Sequence, residues 1–270
     1  MEIELRHPAF DPSWPAEWIG AYRFDSFEMW GDRSKLGYTY AYRERYARVL
    51  QAVRKAMPPP ARLLDFAAAQ GNFSIGFAAA GYDVVWNDIR SDLVEYVKLK
   101  DDTGRISYRP GNLFEFASLE PFDIVFAGEA IEHVAHPDEF LRKLASVVRP
   151  GGAIVITTPN GLYFRNNLPR FSDCPDPSVF ESVQFKPDSD GHIFLLYPDE
   201  IRDLAEKAGL EVERLDLFAN PLTAGHVKLG HLLPWLPEVL VRRLEGFSSH
   251  AGILDRLKTG MLAVLRRARR

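Results

Sequence analysis

The chain has 270 residues, 46% of them hydrophobic and 26% charged, with a formal net charge of -4 and a single cysteine, Cys174. That length accommodates one α/β domain with additions; the acidic balance argues against a surface built to neutralise a nucleic-acid backbone, and one cysteine forms no internal disulfide. No apolar run approaches the roughly 20 residues that span a bilayer, and "MEIELRHPAF" lacks the basic and apolar regions of a signal peptide, so a cytoplasmic protein is expected.

Residues 1–37 carry Trp14, Trp18 and Trp30 without a clear period and read as an irregular arm that packs on the domain or covers its site. From Tyr40 to Met57, Tyr42, Tyr46, Leu50 and Val53 recur at helical spacing until the prolines at 58–60 end the pattern. An alternation follows. "RLLDF" (62–66) and "DVVWND" (83–88) are short apolar strands flanking a helix at 72–81, which Gly81 stops. A helix at 91–99, a weak strand at 106–110, a strong one at 122–128, an amphipathic helix at 137–148 and an apolar strand after "PGG" continue the order. Near-continuous apolar strands separated by helices predict a parallel sheet covered on both faces.

Beyond Asn160 the pattern lapses; residues 161–191 read as a lid or substrate-binding insertion. "PDEIRDLAEKAGL" (198–210) is a capped helix, "EVERLDLF" (211–218) a strand, and residues 222–257 an apolar, helical addition. The final "GMLAVLRRARR" fits a buried strand or a basic amphipathic helix on a membrane surface, its terminal arginines a solvated tail or a weak contact for anionic lipid. The implied organisation is an arm and leading helix (1–60), a core (61–220) and an appended region (221–270).

"LLDFAAAQGNF" (63–73) has the strand, small-residue loop and helix that bring backbone N–H groups up to a ligand. Alanine stands at 67 and 69 where glycine would let the chain approach most closely; it costs little at negative φ, and Gly71 remains at the turn into the helix. Asp65 offers a carboxylate to a cationic cofactor end and Asp88, closing the next strand, one to ribose hydroxyls. A nicotinamide-dependent dehydrogenase would want G-x-G-x-x-G here, and Asp65 would repel its pyrophosphate.

Six stretches in order, "LLDFAAAQGNF", "VVWNDI", "GNLFEF", "FDIVFAGEAIEHV", "RPGGAIVITTPN" and "YPDEIRDLAEKAGLEV", resemble the class I S-adenosylmethionine-dependent methyltransferases over about residues 60–218. The resemblance implies a Rossmann-like, mostly parallel seven-stranded sheet with helices on both faces, an N-terminal arm and C-terminal helical additions. It places Asp88 on the ribose, Asp65, Ala67, Ala69, Gly71 and Asn72 along the methionine side, Asn112 at adenine and Gly128 on the cofactor wall. The usual glycines are Ala67 and Ala69, and the usual acid of the third stretch is Asn112, whose amide oxygen can still meet the adenine amino group.

"GEAIEHV" follows a strand at the sheet's carboxyl end, where open α/β sheets bind ligands. If it turns as a helix, Glu129, Glu132 and His133 project from one face. Three readings stay open: helix-start acids with a packed histidine, His133 as general base, or a site for magnesium, manganese, iron or zinc. A similar E-x-x-E-H segment occurs in ubiquinone-biosynthesis O-methyltransferases and small-RNA 2′-O-methyltransferases, where it is linked to a metal; the latter suggest His192 as a further ligand. His136 reads as a solvent-facing loop residue, and Tyr42 and Tyr46 as core. The expected activity is methylation of a hydroxyl on a small molecule or glycan, with N- or C-methylation also compatible with the sheet and a non-catalytic scaffold, held at a membrane by its basic end, as the rival.

Overall fold

The computed structural model describes residues 6–31, 35–116, 120–184, 191–219, 233, 235–237, 240–241 and 252–269. Seven strands form one sheet: β1 (Arg62–Phe66), β2 (Asp83–Asn87), β3 (Ile106–Tyr108), β4 (Phe122–Gly128), β5 (Val148–Pro159), β6 (Leu210–Phe218) and β7 (Gly260–Arg267). Their order is β3-β2-β1-β4-β5-β7-β6. The first five run parallel; β7 inserts antiparallel between β5 and β6. The Rossmann-like, mostly parallel architecture implied by the sequence is therefore observed, and "GMLAVLRR" is a strand.

Strand residues alternate between two faces, and both are apolar because both are covered. Leu63, Val84, Ile124, Val155 and Val264 meet Val49 and Val53 of α2 (Leu36–Ala56) and Phe77 of α3 (Asn72–Ala79). Leu64, Val85, Val125, Ile154 and Leu265 face Leu141 and Leu144 of α5 (Pro137–Val147) and Ile201 and Leu204 of α6 (Pro198–Lys207). Each such side chain, fully buried, stabilises by roughly 2 kcal/mol.

Residues 1–37 do not form an irregular arm throughout. Ala16–Glu28 is a helix, α1, whose inward stripe is Ala21, Asp25 and Glu28. Two carboxylates occupy positions where a hydrophobic pattern expects apolar side chains, so the period is invisible to it. The helix, through Trp18 and Tyr22, and Trp14 just before it pack on the cluster formed with Tyr96 and Val97 of α4 (Val94–Lys100). The helical reading of residues 222–257 lies largely outside the described residues; within them Gly252–Leu257 makes a 3₁₀ turn. No helix among the described residues is long and apolar enough to cross a membrane.

Strand order reverses between β1 and β4, which opens a crevice at the carboxyl ends of the strands. The β1–α3 loop, Asp88 and the segment after β4 all emerge at that edge.

Candidate active site

The β1–α3 loop is held from β2. Ala68 donates its N–H to the Asn87 carbonyl (3.0 Å), Ala69 donates to Asp88 Oδ2 (2.8 Å), and Trp86 Nε1 donates to the Ala69 carbonyl (3.1 Å). Ala67 and Ala69 lie at φ 55° and 44°. The low cost that alanine has at negative φ therefore does not apply here: both residues take the left-handed backbone that glycine adopts freely, at about 1–2 kcal/mol each. Gly71, at φ 73°, has no such latitude, because a Cβ there would stand 2.6 Å from Val97 Cγ1.

Asp88 is buried and also accepts the Arg90 N–H through Oδ1 (2.8 Å). Burial raises its pKa. Two backbone contacts leave about half of a carboxylate's acceptor capacity for hydroxyl groups. Asp65, equally buried, accepts a hydrogen bond from Ser74 Oγ (2.6 Å), and burial pushes its carboxyl up to about 7. Asn112 caps a 3₁₀ turn, its Oδ1 accepting from Phe114 N–H (3.2 Å) and its Nδ2 donating to Glu115 (2.8 Å). Asn87, not anticipated from the sequence, pins the same segment by donating to the Arg109 and Gly111 carbonyls (2.6 and 3.0 Å).

Asn72 is spent elsewhere than the sequence suggests. Its Nδ2 donates to Asp25 (2.7 Å) and Glu28 (3.3 Å), and its Oδ1 accepts from Lys100 Nζ (2.8 Å). Its side chain thus serves the α1 contact, and only its backbone stands at the loop's exit.

The E-x-x-E-H segment does not place its three residues on one helical face. Glu129, following Gly128 at the end of β4, has φ 50° and donates its N–H to the Thr157 carbonyl (2.8 Å). A left-handed residue breaks the helix before it starts, and only Ile131–His133 form a 3₁₀ turn. Glu129 turns to Arg45 of α2, Nη1 to carboxylate 2.9 Å, and that guanidinium lies 4.8 Å from the Tyr42 ring centre. Arg45 was not anticipated; a cation on a tyrosine-rich helix offers no sequence signal for a partner more than eighty residues on.

Glu132, His133 and His192 do come together, one ligand atom from each lying within 4.8 Å of the others. Glu132 is fully buried: Oε2 accepts from Thr158 Oγ1 (3.0 Å), while Oε1 has no hydrogen-bond partner. Burial, with Glu129 nearby, holds its pKa well above the usual carboxylate range. His133 Nδ1 lies 3.3 Å from the Gly191 carbonyl, and its ring is 5.0 Å from that of His192. His136 faces Glu181 of the 161–191 insertion at 2.9 Å rather than only solvent, and Gln184 accepts the Ala135 N–H (3.0 Å). Tyr42 and Tyr46 are core, stacked on each other and tilted against Phe73.

Residues 38–215 match a family model described as a methyltransferase domain. A ubiquinone biosynthesis O-methyltransferase of Bradyrhizobium sp. (strain ORS 278) is 36% identical over 101 residues, 37% of this chain and 40% of that protein. The ubiquinone biosynthesis O-methyltransferase of Cereibacter sphaeroides (strain ATCC 17025) is 30% identical over 166 residues, 60% and 65% of the two chains. The match thus spans less than two thirds of either relative's length. Magnesium protoporphyrin IX methyltransferase from Synechocystis PCC 6803, solved with bound S-adenosylhomocysteine, shares the fold at TM-score 0.59 and 12% identity, covering 94% of this chain and 95% of that one.

Proposed function

The chain belongs to the methyltransferase-domain family, and from that premise we propose that it transfers a methyl group from S-adenosylmethionine to a hydroxyl of a small molecule. The observation that carries this reading is the meeting, at one edge of the sheet, of Asp88 beside a left-handed loop and of Glu132, His133 and His192 in one cluster. Asp88 would take the ribose hydroxyls. Asp65, beneath the loop, would favour a sulfonium over a neutral thioether, because a nearby cation stabilises its ionised form. The names of the two relatives support oxygen as the acceptor.

A hydroxyl attacks a methyl group poorly until its proton departs. His133, half-buried, is the imidazole available to take that proton, and the insertion's Glu181 and Gln184 shield the segment on which it sits. Glu132 Oε1, buried without a partner, fits a cation better than an empty interior, and two imidazoles complete an oxygen–nitrogen donor set. Glu132, His133 and His192 would hold a divalent metal, which when bound supplies a Lewis acid that lowers the hydroxyl pKa. Glu129 is outside this set; its pairing with Arg45 gives it a positioning role at the end of β4.

Calorimetry with S-adenosylhomocysteine tests the cofactor half. Binding should be measurable, and Asp88→Ala should weaken it more than tenfold; equal affinity in the variant rejects the ribose assignment. Titration of Mn2+ alone, followed by electron paramagnetic resonance, tests the metal half. Glu132→Gln should abolish the bound signal, and a wild-type protein that leaves Mn2+ free would reduce His133 to a simple base.

A further inference from the structure

The contact between α1 and the start of α3 is made of charge. Asp25 is fully buried; its Oδ1 accepts from Asn72, and its Oδ2 accepts from Tyr96 Oη (2.6 Å) and Lys100 Nζ (2.7 Å). Lys100 is 1% exposed and makes a second bond to Asn72. Glu28, one helical turn past Asp25, receives Asn72 Nδ2 and, at 3.4 Å, the Tyr38 hydroxyl. Asn72 therefore has its side chain gripped from α1 and α4 at once.

Burying an ion pair where apolar residues would pack as well is a poor route to stability, because desolvation offsets most of the attraction. Directional bonds do something apolar packing does not: they fix where Asn72 sits. That residue directly follows Gly71, whose left-handed turn ends the cofactor loop and whose position is limited by Val97 of α4. Apolar contacts join the same elements. Trp14 and Trp18 meet the Tyr96 ring, they and Tyr22 pack on the same cluster of Ile75, Trp86, Tyr96 and Val97 that carries Ala68 of the loop, and Trp18 Nε1 donates to the Asp92 carbonyl (2.7 Å).

We propose that Asp25 and Lys100 are positioning residues for the cofactor loop, acting through Asn72, so that docking of α1 and binding of the cofactor are thermodynamically coupled. The inference rests on the cofactor reading above and adds to it a reciprocal consequence. If a docked α1 strengthens cofactor binding by some factor, bound cofactor strengthens docking by the same factor. Neither Asp25 nor Lys100 needs to touch the ligand for this to hold.

The test uses the full chain with Asp25→Asn, Lys100→Met and the double variant. Each single substitution strands a buried charge or donor and should lower the melting temperature; the double removes both charges and should recover much of it. Affinity for S-adenosylhomocysteine should stay at least tenfold weaker in the double variant despite that recovery. Limited proteolysis of residues 6–31 supplies the second readout. In the wild-type protein, saturating S-adenosylhomocysteine should slow cleavage there about tenfold, and in the double variant it should not. A double variant that regains both stability and wild-type affinity would show the network to be structural only and overturn the proposal. So would wild-type cleavage indifferent to ligand. A wild-type protein that gives no binding heat removes the cofactor reading and the coupling together, whereas intact binding with an indifferent arm removes the coupling alone.

Discussion

Ala67 and Ala69 hold positive φ angles, and each pays for it in strain. Left-handed alanine costs about 1–2 kcal/mol, and the extra freedom of unfolded glycine takes back about 0.5–1 kcal/mol. Ala67→Gly and Ala69→Gly should therefore each stabilise the protein by about 0.5–1 kcal/mol, read as a higher urea midpoint at constant slope. A lower midpoint in both would mean that the methyl groups pack. Glu28 makes a second prediction. Burial, helped by the Asp25 charge on its own helix, pushes its carboxyl up from 4.5 to about 7, while Arg45 of α2, Lys100 of α4 and the hydrogen bond from Asn72 of α3 pull it down and the Tyr38 hydroxyl also faces it. The folded state then binds a proton that the unfolded state releases, so this group's contribution is fully present below pH 4.5 and is lost as pH rises through about 7. Glu28→Gln should remove that loss. Relative to wild type the variant should gain up to about 3 kcal/mol between pH 4.5 and 8 in urea denaturation, and equal differences at both ends would show that Glu28 does not titrate there.

At the scale of elements, β7 and α5 depend on each other. Arg267, at the end of β7, donates through Nη1 to the Ala145 carbonyl (2.8 Å) and the Val148 carbonyl (2.5 Å), where α5 ends. A cation on the last carbonyls of a helix satisfies orphan acceptors and meets the negative end of its dipole. Arg266 in turn pairs with Glu213 of β6 (2.5 Å). The first two arginines of the terminal run are thus structural rather than a solvated tail. Arg267→Ala should cost about 1–2 kcal/mol, seen as a lower melting temperature, with faster amide exchange concentrated in the last turn of α5. Unchanged exchange there would reject the capping role. The segment after β4 shows the opposite relation: one left-handed residue, Glu129, stops a helix from forming and sends its carboxylate to Arg45, while the following turn delivers Glu132 and His133 to His192.

For the whole molecule, the candidate site is assembled from separate pieces of chain that converge on one edge of the sheet: α1 and α2 from the N-terminal side, the loop after β1, the end of β2, and the turn after β4 with His192. Ligands that bind the assembled edge should stabilise all of it by mass action, about 2.7 kcal/mol at a hundredfold excess over the dissociation constant. S-adenosylhomocysteine and Mn2+ should each raise the melting temperature. Their effects should add, and in Glu132→Gln the Mn2+ shift alone should vanish. A Mn2+ shift that survives this substitution would place the ion elsewhere.

Local patterning was enough to identify the five parallel strands, the loop at 67–71, Asp88 and the E-x-x-E-H segment, because apolar period and small-residue turns are properties of adjacent residues. It also left the last strand as one of two options, since an apolar run carries no record of the neighbours that pair with it. Helix α1 carries no apolar period because its inward stripe includes Asp25 and Glu28, whose burial is stabilised only beside Lys100 and Asn72, tens of residues away in sequence. The same holds for Arg45 opposite Glu129 and for the positive φ of the two alanines, which follows from hydrogen bonds to β2. Residue order determined which segments form the sheet and which edge gathers the candidate site; the tertiary structure decided which charges meet there, because an ion pair or a strained turn is stabilised only by partners that folding brings close.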